Sequence, residues 1–231
     1  MSRQPGERWG HFAERVANAF GLVLILVIAT YALGSLTEFK GWTGALTTLV
    51  AALAGVVGLA GAGARPAIVR GAGILALAAV VLAILARVLD DLQLLGVSSF
   101  VLVSILLVAA GAILRTVLAE SEVGFRTILG AISVYTILGL LFSFLYAAID
   151  RVQSTPFFGS GVNVKSGDFL FFSYTTLTTT GYGNLVPAGQ PGKMFAGLEM
   201  LMGQIFLVTL VAGLVSLWRP GLLSRRRERS G

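Results

Sequence analysis

Apolar residues run almost unbroken through six stretches of this chain, at about 16–36, 42–63, 67–89, 97–118, 127–149 and 194–218, and polar residues collect between them. Each stretch reaches the ~20 residues a helix needs to cross hydrocarbon. None alternates as a half-buried strand would. All six prolines (Pro5, Pro66, Pro156, Pro187, Pro191 and Pro220) fall outside these stretches or at their edges, where a missing helix hydrogen bond does least harm. The pattern predicts an all-α membrane protein with six transmembrane helices. The first stretch reads as a true span and not a cleaved leader, because it is too long for a leader's apolar region and no small-residue cleavage site follows it.

A shorter segment breaks the rhythm. "DFLFFSYTTLT", residues 168–178, is apolar and aromatic but only ~16 Å long as a helix, about half the hydrocarbon thickness. Ser166 and Asp168 supply cap-like groups at its start. It reads as a helix that dips into the membrane and stops. Ahead of the first span, Trp9, Phe12, Val16 and Phe20 share one helical face, either as an interfacial helix or as an extension of that span. In the second, Gly55, Gly58, Gly61 and Gly63 would let helices approach closely.

Composition agrees: 56% of the 231 residues are hydrophobic, 12% are charged, and mean hydropathy is +0.87, too greasy for a chain solvated only by water. There is no cysteine, which excludes disulfides and thiolate metal sites. The one histidine, His11, reads as an ordinary surface residue. With both termini on the cytoplasmic side, twelve of the seventeen Lys and Arg lie inside and five outside, the asymmetry expected of an inner-membrane protein with cytoplasmic ends. The basic tail "SRRRERSG" then acts as a topological anchor, and no nucleic acid is needed to account for it.

The chemistry lies in "TTLTTTGYGN", residues 175–184. Irregular backbone at membrane depth is tolerated only where protein or a watery cavity satisfies it. Gly181 and Gly183, at alternate positions, permit positive φ, so successive carbonyls can face one side and replace the hydration shell of a cation. With "FFSYTTLTTTGYGNLVPAGQPGKMFAGLEMLMGQIFLVTLVAGLVS" around it, this stretch resembles the pore of potassium channels: aromatic pore helix, TVGYGD-like filter, a proline after it, then an inner helix with a central glycine. Carbonyl coordination of the ion is long established for that family. The resemblance covers roughly residues 127–218.

That resemblance implies a re-entrant pore helix and selectivity filter between the fifth and sixth spans, in a homotetramer embedded in the bilayer, since one filter segment cannot surround an ion. Backbone carbonyls of Thr179, Thr180, Gly181 and Tyr182 would hold K⁺, with Gly183 completing the filter. Tyr182 would brace it against Phe171 and Phe172. The pore helix would aim its negative end at a central cavity. Thr180 stands where the family has valine, Asn184 where it has aspartate, and Thr175 where some relatives carry an acid. Glu199 would either brace the pore helix from behind or tune ion access. Gly203 is either a gating hinge or a close-packing position. Gln204, Leu207, Val211 and Val215 recur at helical spacing and would line the cavity.

The fourth span carries one arginine, Arg115, where a voltage sensor needs a ladder of them. Arg87, near the third span's outer end, would pair with Asp90 or Asp91 or reach for the interface. The chain thus resembles bacterial six-span channels lacking a sensor. It divides into residues 1–126 (an N-terminal segment with four helices of open role), 127–218 (the pore domain) and 219–231 (the tail). The expected activity is passive K⁺ conduction with no catalysis and no cofactor. A less selective cation channel and a silent sensor or accessory subunit are the rival readings.

Overall fold

The computed structural model describes the backbone of residues 5–36, 43–120, 124–161 and 163–217. Seven helices make up the described secondary structure: α1 (Pro5–Leu36), α2 (Thr43–Gly61), α3 (Pro66–Leu89), α4 (Leu92–Ala119), α5 (Phe125–Val152), α6 (Ser166–Leu177) and α7 (Gln190–Leu217). Five of them, α2 to α5 and α7, are long and apolar enough to cross a membrane, and α1 adds the apolar run Ala19–Ser35. The backbone of α1 is one continuous helix, so the N-terminal amphipathic stretch is an extension of the first apolar run. The side chains of Trp9, His11, Phe12, Val16, Val211 and Val215, and the tail 219–231, lie outside the described residues.

Local chemistry sets the helix ends. Pro66 opens α3, where its fixed φ suits the first turn and its missing N–H would have no partner anyway. Asp91 caps α4, its Oδ1 accepting from the amides of Gln93 at 2.8 Å and Leu94 at 3.3 Å. Asp91 is therefore engaged as a cap, and Asp90 closes α3 in the left-handed region at φ 53°. Arg87 is exposed and makes no ion pair with either among the described residues.

Helix α5 is the axis of the fold. Its most apolar stretch is 61% buried within the chain, against 17% for α3 and for α7. It packs on α4, α1, α6 and α7, while α2 lies against α1, α3 and α4. A single core of Phe20, Val23, Leu106, Ile113, Ile137 and Leu140 joins α1, α4 and α5. The glycines in and just after α2 divide into two roles. Cβ atoms at Gly55 and Gly61 would come within 2.9 Å of Ile105 and 2.7 Å of Ala19, so these two permit close approach, whereas Gly63, at φ +69° in open space, serves the turn into α3.

The half-length helix predicted at 168–178 is α6, Ser166–Leu177. Its cap differs from the expected one. Lys165 is the N-cap and Ser166 the first helical residue. Asp168, at the third helical position, reaches back to accept from the Lys165 amide at 2.8 Å, half of a capping box.

Candidate functional site

Helix α6 has two unlike faces. The back is built from rings. Phe172 meets Tyr146 at a centroid distance of 5.1 Å, Phe158 at 5.2 Å and Phe157 at 6.0 Å, and all four are buried. Edge-to-face pairs of this kind stabilise beyond their area alone. Next to them sits Glu199 of α7, with no solvent exposure. The Tyr146 hydroxyl donates to its Oε2 at 2.6 Å. Ser173 Oγ lies 2.5 Å from its Oε1 and 2.7 Å from the carbonyl of Gly139. One carboxyl thus joins α5, α6 and α7. One turn on, a Cβ at Gly203 would strike the carbonyl oxygen of Leu177, so glycine is required there for α7 to pass the end of α6. Close packing explains this glycine without a hinge.

The front carries residues 178–184, all exposed. Three φ angles are positive at alternate positions: Thr179 at 57°, Gly181 at 50° and Gly183 at 79°. Alternating hand turns successive peptide groups to one side. The amide of Thr179 donates to Thr176 O at 2.9 Å, and those of Thr180 and Gly181 donate to Thr175 O at 2.8 and 3.2 Å. Among the described residues no peptide bond is cis, and in a planar trans peptide the C=O points opposite to the N–H. The carbonyls of Thr178, Thr179 and Thr180 are therefore aimed away from α6. Among the described residues, no donor reaches the carbonyls of residues 179–183. These carbonyls are exposed in the single chain, so their oxygens are open to an outside partner.

The last four carbonyls of α6 are all engaged: Tyr174 O takes the Thr178 amide, Thr175 O and Thr176 O take the three amides above, and Leu177 O takes the Tyr135 hydroxyl at 3.2 Å. The end of α6 is thus first a socket for the loop, which qualifies the expectation that it presents bare negative charge to a cavity. Thr175 contributes through its backbone, while its hydroxyl bonds back to Phe172 O at 3.0 Å. The Thr178 hydroxyl donates to Tyr174 O at 2.7 Å and lies 2.8 Å from that of Thr180.

Several expected residues meet here, and others do not. Tyr182 stacks on Phe171, with centroids 5.7 Å apart and planes 15° from parallel. Phe172, expected beside it, faces the opposite way, because 100° per residue on a helix puts neighbours on different faces. Asn184 is exposed with no hydrogen bond among the described residues. On α7, Gln204 is exposed and Leu207 half-buried. Sequence reasoning missed Tyr146 and Ser173, the two partners of Glu199. The signal available was a hydroxyl inside each of two apolar runs, which needs an acceptor. It also missed positive φ at Thr179, because a β-branched residue is poorly suited to that region. Among the described residues, no group of three or more His, Cys, Asp or Glu could hold a metal ion.

Residues 131–219, which run from within α5 past the end of α7, match a family model described as "ion channel". No curated protein and no solved structure gives a significant match to the chain. The segment that carries the carbonyl row and its supporting helix is similar to an ion-channel domain, in a chain with five helices long and apolar enough to cross a membrane.

Proposed function

We propose that this chain forms a potassium-selective channel in the cell's inner or plasma membrane, with six spans and both termini cytoplasmic. The observation that carries this reading is the row of carbonyls at residues 179–183. The amides behind its first two carbonyls, those of Thr180 and Gly181, are tied to the end of α6, its hand alternates, and among the described residues no protein donor meets it. Such a row is a neutral substitute for an ion's water shell. A hard cation would be held there by Thr179, Thr180, Gly181 and Tyr182, and Gly183 lets the chain leave the row in the same alternating hand.

One row offers oxygens from one side only, so the proposal includes a homotetramer with its axis in front of α6. Helix α7 supports this arrangement. Leu201, Ile205 and Val208 are 63%, 62% and 59% exposed in the single chain, and the same helix carries Gln204 and Leu207 toward the proposed cavity. In the proposed assembly α6 is the pore helix, α5 the outer helix and α7 the inner helix.

Reconstitution in liposomes tests the reading. With K⁺ and Na⁺ on opposite sides, the reversal potential is expected to follow the K⁺ gradient, and Gly181→Ala is expected to abolish flux. A reversal potential between the two gradients would replace potassium selectivity with general cation conduction, the reading that the unpartnered Asn184 favours. Silence of a tetramer of verified mass would replace both with a non-conducting role.

A further inference from the structure

The contacts of Glu199 constrain the hydrogens around it. Ser173 Oγ has one hydrogen and two oxygens in hydrogen-bond range, Gly139 O at 2.7 Å and Glu199 Oε1 at 2.5 Å. A hydroxyl donates once and accepts with its lone pairs. Gly139 O is a carbonyl and can only accept, so the Ser173 hydrogen belongs on that contact, since two oxygens 2.7 Å apart with no proton between them repel. The second contact then needs a hydrogen supplied by the carboxyl group. At Oε2 the Tyr146 hydroxyl is the donor, at 2.6 Å. One arrangement satisfies every group: Tyr146 O–H donates to Oε2, Oε1–H donates to Ser173 Oγ, and Ser173 O–H donates to Gly139 O.

The surroundings demand the same answer. Glu199 has no solvent exposure, and no Lys, Arg or His pairs with it among the described residues. The titratable groups that face it are the phenols of Tyr146 and, at longer range, Tyr135 of α5 and Tyr174 of α6. A carboxylate without a cation in such a place is far more costly than a neutral acid.

We propose that Glu199 is a protonated carboxylic acid that works as a positioning residue, donating a hydrogen bond to Ser173 and so fixing α7 against the back of α6. Ser173 lies two residues before Thr175, whose carbonyl anchors the amides of Thr180 and Gly181. The acid therefore holds the socket of the carbonyl row in place while adding no charge behind it. This proposal rests on the channel reading for its functional readout and is independent of it for its chemical one.

The chemical test is infrared difference spectroscopy on the purified full chain in lipid at neutral pH. Wild type minus Glu199→Gln is expected to show the carbonyl stretch of a protonated carboxylic acid. Its absence, with carboxylate bands in its place, would overturn the proposal whether or not the protein conducts. The functional test compares variants by K⁺/Na⁺ permeability ratio in liposomes. Glu199→Gln keeps a donor for Ser173 and an acceptor for Tyr146 and is expected to stay within about twofold of wild type, about 0.4 kcal/mol from RT ln 2. Ser173→Ala and Glu199→Ala are expected to lower the ratio tenfold or more. A Glu199→Gln protein as impaired as Glu199→Ala would sink the neutral acid, and normal selectivity in Ser173→Ala would sink its positioning role.

Discussion

Phe171 and Phe172 are neighbours on one helix and live in opposite surroundings. Phe172 is 6% exposed and touches three other rings. Phe171 is half-buried and touches Tyr182, itself 71% exposed. The same division runs through the whole of α6. On its back, hydroxyls and a carboxyl find partners among α5, α6 and α7. On its front, a row of carbonyls finds none among the described residues. The single chain thus completes one face of the helix and leaves the other open, the face to which the proposed function assigns the ion and the neighbouring copies.

The largest expected effect of breaking this comparison is at the back. Phe172→Ala would leave a cavity among Tyr146, Phe157 and Phe158, at a cost of about 3–5 kcal/mol. Unfolding in a denaturing-detergent titration measures it. Retained stability would mean that the ring cluster is loosely packed and that the two faces differ less than the contacts indicate.

Gly181→Ala follows. A Cβ at Gly181 meets nothing within 4 Å, yet φ is +50°, so the cost is backbone strain alone, about 1–2 kcal/mol. The protein is expected to fold, assemble and lose flux. Loss of folding would place Gly181 with the structural face, against the proposal.

How much of this was legible beforehand differs between the faces for a physical reason. The apolar runs that became α2 to α5 and α7 could be read because hydrocarbon tolerates little else, and the short α6 stood out because its run was too brief to cross. Gly181 and Gly183 announced positive φ because glycine is the residue that adopts it freely. Thr179 could not be read, because its φ of 57° is imposed by amides tied to α6 and opposes its own preference. Phe172 was assigned to the wrong face because composition marks both rings as aromatic, and only the helix phase separates them. The partners of Glu199 lie 53 and 26 residues away along the chain, a distance over which local pattern carries no information.

Phe171→Ala sharpens the comparison from the front. It removes a stacked pair worth about 0.5–1.5 kcal/mol, and the exposed position places the loss at the low end. Thermal unfolding is expected to shift only slightly. The K⁺/Na⁺ permeability ratio is expected to fall several-fold, because Tyr182 loses the ring it stacks on. An unchanged ratio would mean that the amide anchors at Thr175 and Thr176 hold the row unaided.

Asn184→Asp has the smallest expected effect on stability and asks the most specific question. Asn184 is exposed and makes no hydrogen bond among the described residues, so the exchange is expected to stay within about 0.5 kcal/mol. Its effect on conduction follows from charge. Four added carboxylates around the proposed axis would raise the local cation concentration at the outer mouth, and this attraction is screened by salt. Single-channel current at low K⁺ is expected to rise about twofold and to converge with wild type at high ionic strength. An increase that persists at high salt would point to a new hydrogen bond behind the row and not to a field in front of it. Asn184 would then belong to the braced face of α6, and the boundary between the two faces would move outward by one residue beyond Gly183.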